Sequence, residues 1–305
     1  MKNKNTEDTG MLTQGRFDLF CRAVTDFGVE HVVLLQDGRA IFRHDWKPEE
    51  RQLQYSVSKS FTGTAVGFAL EEGRLTLDDP VISFFPDELP AVIPDNLRLL
   101  RVRHLLTMQT GHPTPWLMGF QRKTMKERDW VRFALSRPVP ERPGTVFCYS
   151  NLGPYLMGVI LERLTGMSLT DYLMPRLFEP LDIPYPAWEK DPLGQTFGAG
   201  GLHLTTTELA RFGELYLQRG CWEGRQVIPA SWIRLVERTE VISEDGESYS
   251  LLFWRGRHDS LCAVGRYGQY CAIVPEKNLV VAMNSMDEED SHLLEYVWSY
   301  LYGEL

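Results

Sequence analysis

Tyr55-Ser56-Val57-Ser58-Lys59-Ser60-Phe61 decides how this chain is read. A serine and a lysine stand three residues apart at the head of a helical run, Phe61 to Glu72, for which Gly73 supplies a stop. Positions i and i+3 share one face of a helix, so the Lys59 amine can reach the Ser56 hydroxyl. An amine kept neutral near pH 7 can take that hydroxyl's proton and so make a nucleophile without a histidine. Taken alone, the pair equally fits a solvated helix start, because short Ser-x-x-Lys matches arise by chance. Tyr149-Ser150-Asn151, about 90 residues further on, gives the pair its weight. By itself Tyr149 also fits a core tyrosine, and Asn151 a helix cap ahead of Pro154.

Upstream of this stretch, Phe17, Phe20, Cys21 and Val24 fall on one face of a helix over 16–27. The apolar runs Val32-Val33-Leu34-Leu35-Gln36 and Ala40-Ile41-Phe42-Arg43 flank Asp37-Gly38-Arg39, which is a hairpin signal. The first ten residues read as a frayed tail. Downstream, 75–143 is broken by prolines into short helical pieces, such as Val102 to Met108 and Lys126 to Leu135. Further helices are expected from Pro154 to Thr165, from Leu169 to Leu173, from a threonine cap in Thr205-Thr206-Thr207-Glu208 to about Leu217, and from Pro229 to Arg238. Strands then return at Leu251-Leu252-Phe253-Trp254, Tyr270 to Val274 and Leu279 to Met283, with Pro275-Glu276-Lys277-Asn278 as a turn, and Glu289 to Tyr302 reads as a closing helix. The expected fold class is α+β. An antiparallel sheet is flanked by the N- and C-terminal helices, with a mostly helical subdomain inserted. The expected boundaries are 11–60 and 190–305 for the discontinuous sheet domain and 61–189 for the insert.

The residues now reach a resemblance. The chain resembles the serine β-lactamase and penicillin-binding-protein superfamily from about residue 30 to the end. It is most similar to the class C-like branch, which includes esterases, D-amino-acid peptidases and linear-amide hydrolases. Ser56-Val57-Ser58-Lys59 resembles the family's Ser-x-x-Lys motif and Tyr149-Ser150-Asn151 its Tyr-x-Asn motif. Supporting stretches are Arg103 to Gly111, Pro143 to Phe147, Gly198-Ala199-Gly200-Gly201-Leu202 and Pro275 to Leu279. The third motif departs from the pattern. Counting back from Pro275, Ala263-Val264-Gly265 stands where a Lys-Thr-Gly or His-x-Gly triplet normally lies, so the glycine is kept and the basic residue is lost. That loss argues against efficient β-lactam hydrolysis. Arg266 could restore a positive charge, or on a strand could point to solvent.

The resemblance implies that Ser56 attacks a carbonyl carbon to form an acyl-enzyme, with Lys59 as base or as the charge that holds the base. Tyr149 would shuttle the proton to the leaving group, with a nearby ammonium expected to hold its pKa below the usual value of about 10. Asn151 would hydrogen-bond Lys59 and the substrate. The backbone N–H groups of Ser56 and Arg266, beside Gly265, would receive the oxyanion. The implied substrate is a small ester or amide. A non-catalytic ligand-binding or sensing module is the alternative from another class, and a β-lactamase or D-amino-acid peptidase a further one.

Composition narrows the field. A hydrophobic fraction of 43% and an aromatic fraction of 11% are those of a globular chain. The net charge of −9 without a basic cluster argues against nucleic-acid and anionic-membrane partners. Cys21, Cys148, Cys221, Cys262 and Cys271 are scattered, with no Cys-x-x-Cys, and read as reduced thiols. The seven histidines include no His-Glu-x-x-His, so neither a metal nor a cofactor is expected. Gly198 to Gly201 reads as a tight turn and not a phosphate cradle. Trp116, Trp188, Trp222 and Trp254 fit either a pocket lining or the core. The polar N-terminus lacks an export signal and no apolar run reaches membrane length, which points to a cytoplasmic protein. Nothing in the sequence bears on oligomeric state.

Overall fold

The computed structural model describes residues 12–239, 241–288 and 292–302. The expected N-terminal tail and the start of the closing helix at Glu289 lie outside them. The strands are β1 (Val29–Gln36), β2 (Arg39–Asp45), β3 (Gln52–Leu53), β4 (His203–Leu204), β5 (Cys221–Trp222), β6 (Arg225–Gln226), β7 (Val241–Ile242), β8 (Ser248–Tyr249), β9 (Trp254–Arg255), β10 (Leu261–Gly265), β11 (Gln269–Val274) and β12 (Leu279–Ser285). Eight of them form one antiparallel sheet in the order β2-β1-β12-β11-β10-β9-β8-β7. The late strands β12 and β11 thus pair beside the early hairpin, which closes the chain's two ends into one sheet.

The principal helices are α1 (Gln14–Val24), α2 (Ser58–Glu71), α3 (Asp95–Leu99), α4 (Val102–Leu106), α5 (Gly119–Arg122), α6 (Trp130–Leu135), α7 (Leu152–Thr165), α8 (Leu169–Leu173), α9 (Thr206–Leu217), α10 (Ala230–Arg238) and α11 (Leu293–Tyr296). A π-helical turn, Val297–Tyr302, continues α11. The alternation of β12 divides the core. Leu279, Val281 and Met283 face α1 and the C-terminal helix, through Phe17, Phe20, Val297 and Trp298. Val280 and Ala282 face the other way, toward α2, α7 and α9. α9 lies flush on that face because Gly213 leaves no Cβ, which would stand 2.6 Å from Cys271 Sγ and from Val280. The Thr205–Glu208 capping box fixes where α9 begins.

Several expectations shift. Of the expected strand Leu251-Leu252-Phe253-Trp254, only Trp254 is in a strand. Leu252 has φ 63°, and its N–H donates to Leu106 O and Ser250 O, so the run is a buried loop. Its apolar character reports burial and not extension. The expected helix from Lys126 starts only at Trp130, where the Asp129 carboxylate accepts from Arg132 N. Arg266 lies in the turn between β10 and β11 and not on a strand.

Candidate active site

The helix α2 that carries Lys59 is buried almost throughout, although its first turns are polar. Its hydroxyls explain how. Ser58 Oγ accepts from Leu202 N (3.1 Å), Ser60 Oγ donates to Leu252 O (2.8 Å) and Thr62 Oγ1 donates to Gly198 O (2.7 Å). Each satisfied hydroxyl removes a desolvation cost, and together they tie the helix to two loops, one at 198–202 and one at Leu252. Further along, Trp232 packs on Gly67, where a Cβ would stand 2.4 Å from its ring.

Ser56 sits in the 3-10 turn Tyr55–Val57 that leads into α2. Tyr55 has φ 46°, an uncommon conformation for a bulky residue. Such strain persists only where the surroundings hold it. Gln54 does so from inside: its Nε2 donates to Gln52 O (3.1 Å), Leu204 O (3.0 Å) and Asn284 Oδ1 (3.2 Å). Gly265, the last residue of β10, lets that strand come close to the turn, because a Cβ there would lie 2.5 Å from Gln54 O.

Lys59 Nζ is the hub. It lies 2.8 Å from Ser56 Oγ, donates to Asn151 Oδ1 (2.7 Å) and donates to Ala199 O (2.8 Å). A neutral amine has two N–H bonds and one lone pair. Two partners here are pure acceptors, so the lone pair is left for the Ser56 hydroxyl proton. Lys59 is only 1% exposed. Burial, and after it the charge of Arg122, hold its pKa well below the usual lysine value. Asn151 is aligned by its own Nδ2, which donates to Leu117 O (2.9 Å). Ser150 Oγ accepts from Trp116 N (3.0 Å) and fastens the same segment.

Tyr149 lies under the amine, with Nζ 5.0 Å from its ring centroid, and stacks on Trp254 at 5.3 Å. Burial pushes its pKa up to about 12, against a smaller lowering by hydrogen bonding with Ser56 and Trp254. The expected lowering by an ammonium is therefore reversed: burial raises the tyrosine and also disfavours the charged form of the lysine beside it.

Ser56, Tyr149, Asn151, Gly265 and Arg266 all line one cleft of about 1720 Å³. Lys59 is sealed behind it. Arg266 is exposed at the rim with its guanidinium 4.6 Å above the Tyr267 ring. Of the four tryptophans singled out from the sequence, Trp254 lines the cleft. The expected tight turn at 198–201 delivers the Ala199 carbonyl to Lys59, with Gly201 at φ 89°. Sequence reasoning missed Gln54 and Arg122. A buried glutamine that pins a turn carries no sequence signature, and Arg122 sits in a short helix with no recognised motif. Among the described residues no group of three or more His, Cys, Asp or Glu side chains is arranged to hold a metal. No helix among them is long and apolar enough to cross a membrane.

Comparison with known proteins adds independent findings. The family model described as Beta-lactamase matches residues 28–299. The 6-aminohexanoate-dimer hydrolase of Paenarthrobacter ureafaciens is 26% identical over 278 residues, which cover 82% of this chain and 70% of that protein. A Bacillus anthracis structure provisionally assigned as a 6-aminohexanoate-dimer hydrolase superposes with a TM-score of 0.80 at 20% identity, covering 98% of this chain and 84% of that one. A D-stereospecific amidohydrolase from a Streptomyces species superposes at 0.73 and 19% identity, covering 96% and 100%.

Proposed function

Because the chain belongs to the Beta-lactamase family, we propose that Ser56 is the nucleophile of its chemistry, with Lys59 as base and Tyr149 as proton donor. The chain is a serine hydrolase of amide or ester bonds. The observation that carries the assignment is the three-way setting of Lys59 Nζ, with two acceptors filled by N–H groups and Ser56 Oγ at 2.8 Å.

In this reading Ser56 Oγ attacks the substrate carbonyl carbon as its proton passes to Lys59. The negative charge on the carbonyl oxygen is received by the backbone N–H groups of Ser56 and Arg266. The close approach allowed by Gly265 favours that pairing. As the tetrahedral adduct collapses, Tyr149 O–H protonates the departing amine or alkoxide, and the Lys59 ammonium restores the tyrosine's proton. Water then gives its proton to the same relay and its hydroxide to the acyl carbon, which frees the acid and regenerates Ser56.

The substrate we propose is a small linear amide or ester. The likeness to the Paenarthrobacter ureafaciens hydrolase favours it, as does the lack of lysine or histidine in Ala263-Val264-Gly265. A reducing, cytoplasmic setting suits the five unpaired cysteines. The test is hydrolysis of p-nitrophenyl acetate and butyrate, with intact mass before and after a fluorophosphonate, for native protein and Ser56→Ala. Turnover and a single adduct, both lost in Ser56→Ala, are expected. A folded native protein with neither would overturn the assignment and favour a ligand-binding module.

A further inference from the structure

Arg122 ends α5 on the wall of the same cleft as Ser56. Its guanidinium is held in place by aromatic rings and not by acids. The central carbon lies 4.0 Å from the Phe197 ring centroid and 5.9 Å from that of Trp130. Its Nε is buried with no hydrogen-bond partner. Glu189 acts on it only at a distance, from an exposed position, and no described carboxylate forms an ion pair with it. A guanidinium remains charged whatever its surroundings. A partly desolvated cation without an anion is therefore an unfilled requirement of the fold.

The cleft as a whole has the same bias. Five arginine or lysine side chains line it, against three glutamates, on a chain whose net charge is −9. Glu295 and Arg257 pair with each other, so they offset one another in that count. The turn that presents Arg122 is itself fixed: Gln121 Nε2 donates to Pro115 O (3.1 Å) and Gln121 Oε1 accepts from Met118 N (3.0 Å). The planar fork of an arginine stacked on a ring matches the two oxygens of a carboxylate.

We propose that Arg122 is the specificity-determining anion receptor of the cleft, and that the substrates are amides or esters bearing a free carboxylate. This rests on the reading of Ser56 as nucleophile. It places the selective positive charge on α5, beside Phe197 and Trp130, and not on the third-motif strand, where the basic residue is missing.

Two matched substrate pairs test it, with uncatalysed rates subtracted. On the acyl side these are p-nitrophenyl glutarate monoester against p-nitrophenyl pentanoate. On the leaving-group side they are 4-acetoxybenzoate against 4-acetoxybenzamide. The readout is the ratio of kcat/KM, anionic over neutral. The native enzyme is expected to favour the anionic member of at least one pair by tenfold or more. Arg122→Met should lower that ratio at least tenfold, mainly through KM, and Arg122→Lys should fall between the two. Thermal melts of each variant establish that it is folded, and a variant that fails to fold is replaced by Arg122→Gln. Native enzyme without anionic preference in either pair, or a ratio unmoved in folded Arg122→Met, overturns the proposal. Neither result touches the Ser56 assignment, which stands or falls on neutral ester turnover in Ser56→Ala.

Discussion

A lysine sealed from water gives up its proton more readily than an exposed one, and Lys59 is sealed on every side except toward Ser56. The sign of the pH dependence follows. Catalysis needs the neutral amine, so kcat/KM for a neutral ester rises with pH through the lowered Lys59 pKa and then levels off. Loss of the Tyr149 proton, raised to about 12, should not bend the profile down in the neutral range. A pH–rate profile that falls from neutral to mildly alkaline pH would contradict this. The same shift affects stability. Between its folded value and the ordinary lysine value, the unfolded chain binds the extra proton, so native stability gains on Lys59→Met as pH rises. Urea titrations at several pH values would show the gap moving in that direction.

Tyr149 permits a sharper test at the same scale. A p-nitrophenolate departs without a proton, whereas an amine does not. Tyr149→Phe should therefore slow acylation by an anilide or linear amide by roughly 10²–10⁴-fold, and the first-turnover burst of p-nitrophenolate from a p-nitrophenyl ester much less. Equal losses on both would argue that the hydroxyl only positions Ser56.

The next scale is the strand and the helix. β10 comes close to the nucleophile's turn because Gly265 has no Cβ. Gly265→Ala should push strand and turn apart, with a loss of about 1–3 kcal/mol in urea unfolding and a fall in kcat. Gly67→Ala, where Trp232 crowds α2 far from the hydroxyl, should cost similar stability while kcat of the folded fraction stays near native. If both variants lose kcat alike, the approach of β10 has no special part in the chemistry. Legibility in the sequence also divides by element. Helices with clear ends could be read: Leu169–Leu173 ahead of Pro175, and α9 behind its threonines, of which Thr205 is the cap. The outer strands β7, β8 and β9 could not, since two residues carry no alternation. The buried loop at Leu251 to Phe253 was mistaken for a strand because apolar runs mark burial before they mark geometry. Lys59 and Asn151 were legible through their spacing and order. Ala199 O, Leu117 O and Gln54 were not, because backbone acceptors and pinning amides leave no motif, and Arg122 matters through a partner that it lacks.

For the molecule as a whole, one cluster of buried side chains runs from Val33 on the sheet through Phe61, Tyr155 and Phe212 to Ala282. It joins the sheet to α2, α7 and α9. Unfolding in urea should therefore be a single transition, with tryptophan fluorescence and far-UV circular dichroism superimposing. Two separated transitions would mean that sheet and insert are held apart energetically.

The hydroxyl ties of α2 have a consequence for descent and for engineering. Lys59 stands on a buried helix anchored at Leu202, Leu252 and Gly198, with Ser56 in the turn that leads into it, while much of the cleft wall comes from short elements and turns around 118–123, 246–257 and 266–267. Mutational drift can recolour that wall one residue at a time and leave the reaction intact. Selection for a new substrate should therefore collect its changes in those turns, and libraries confined to them should retain activity more often than libraries that reach into α2.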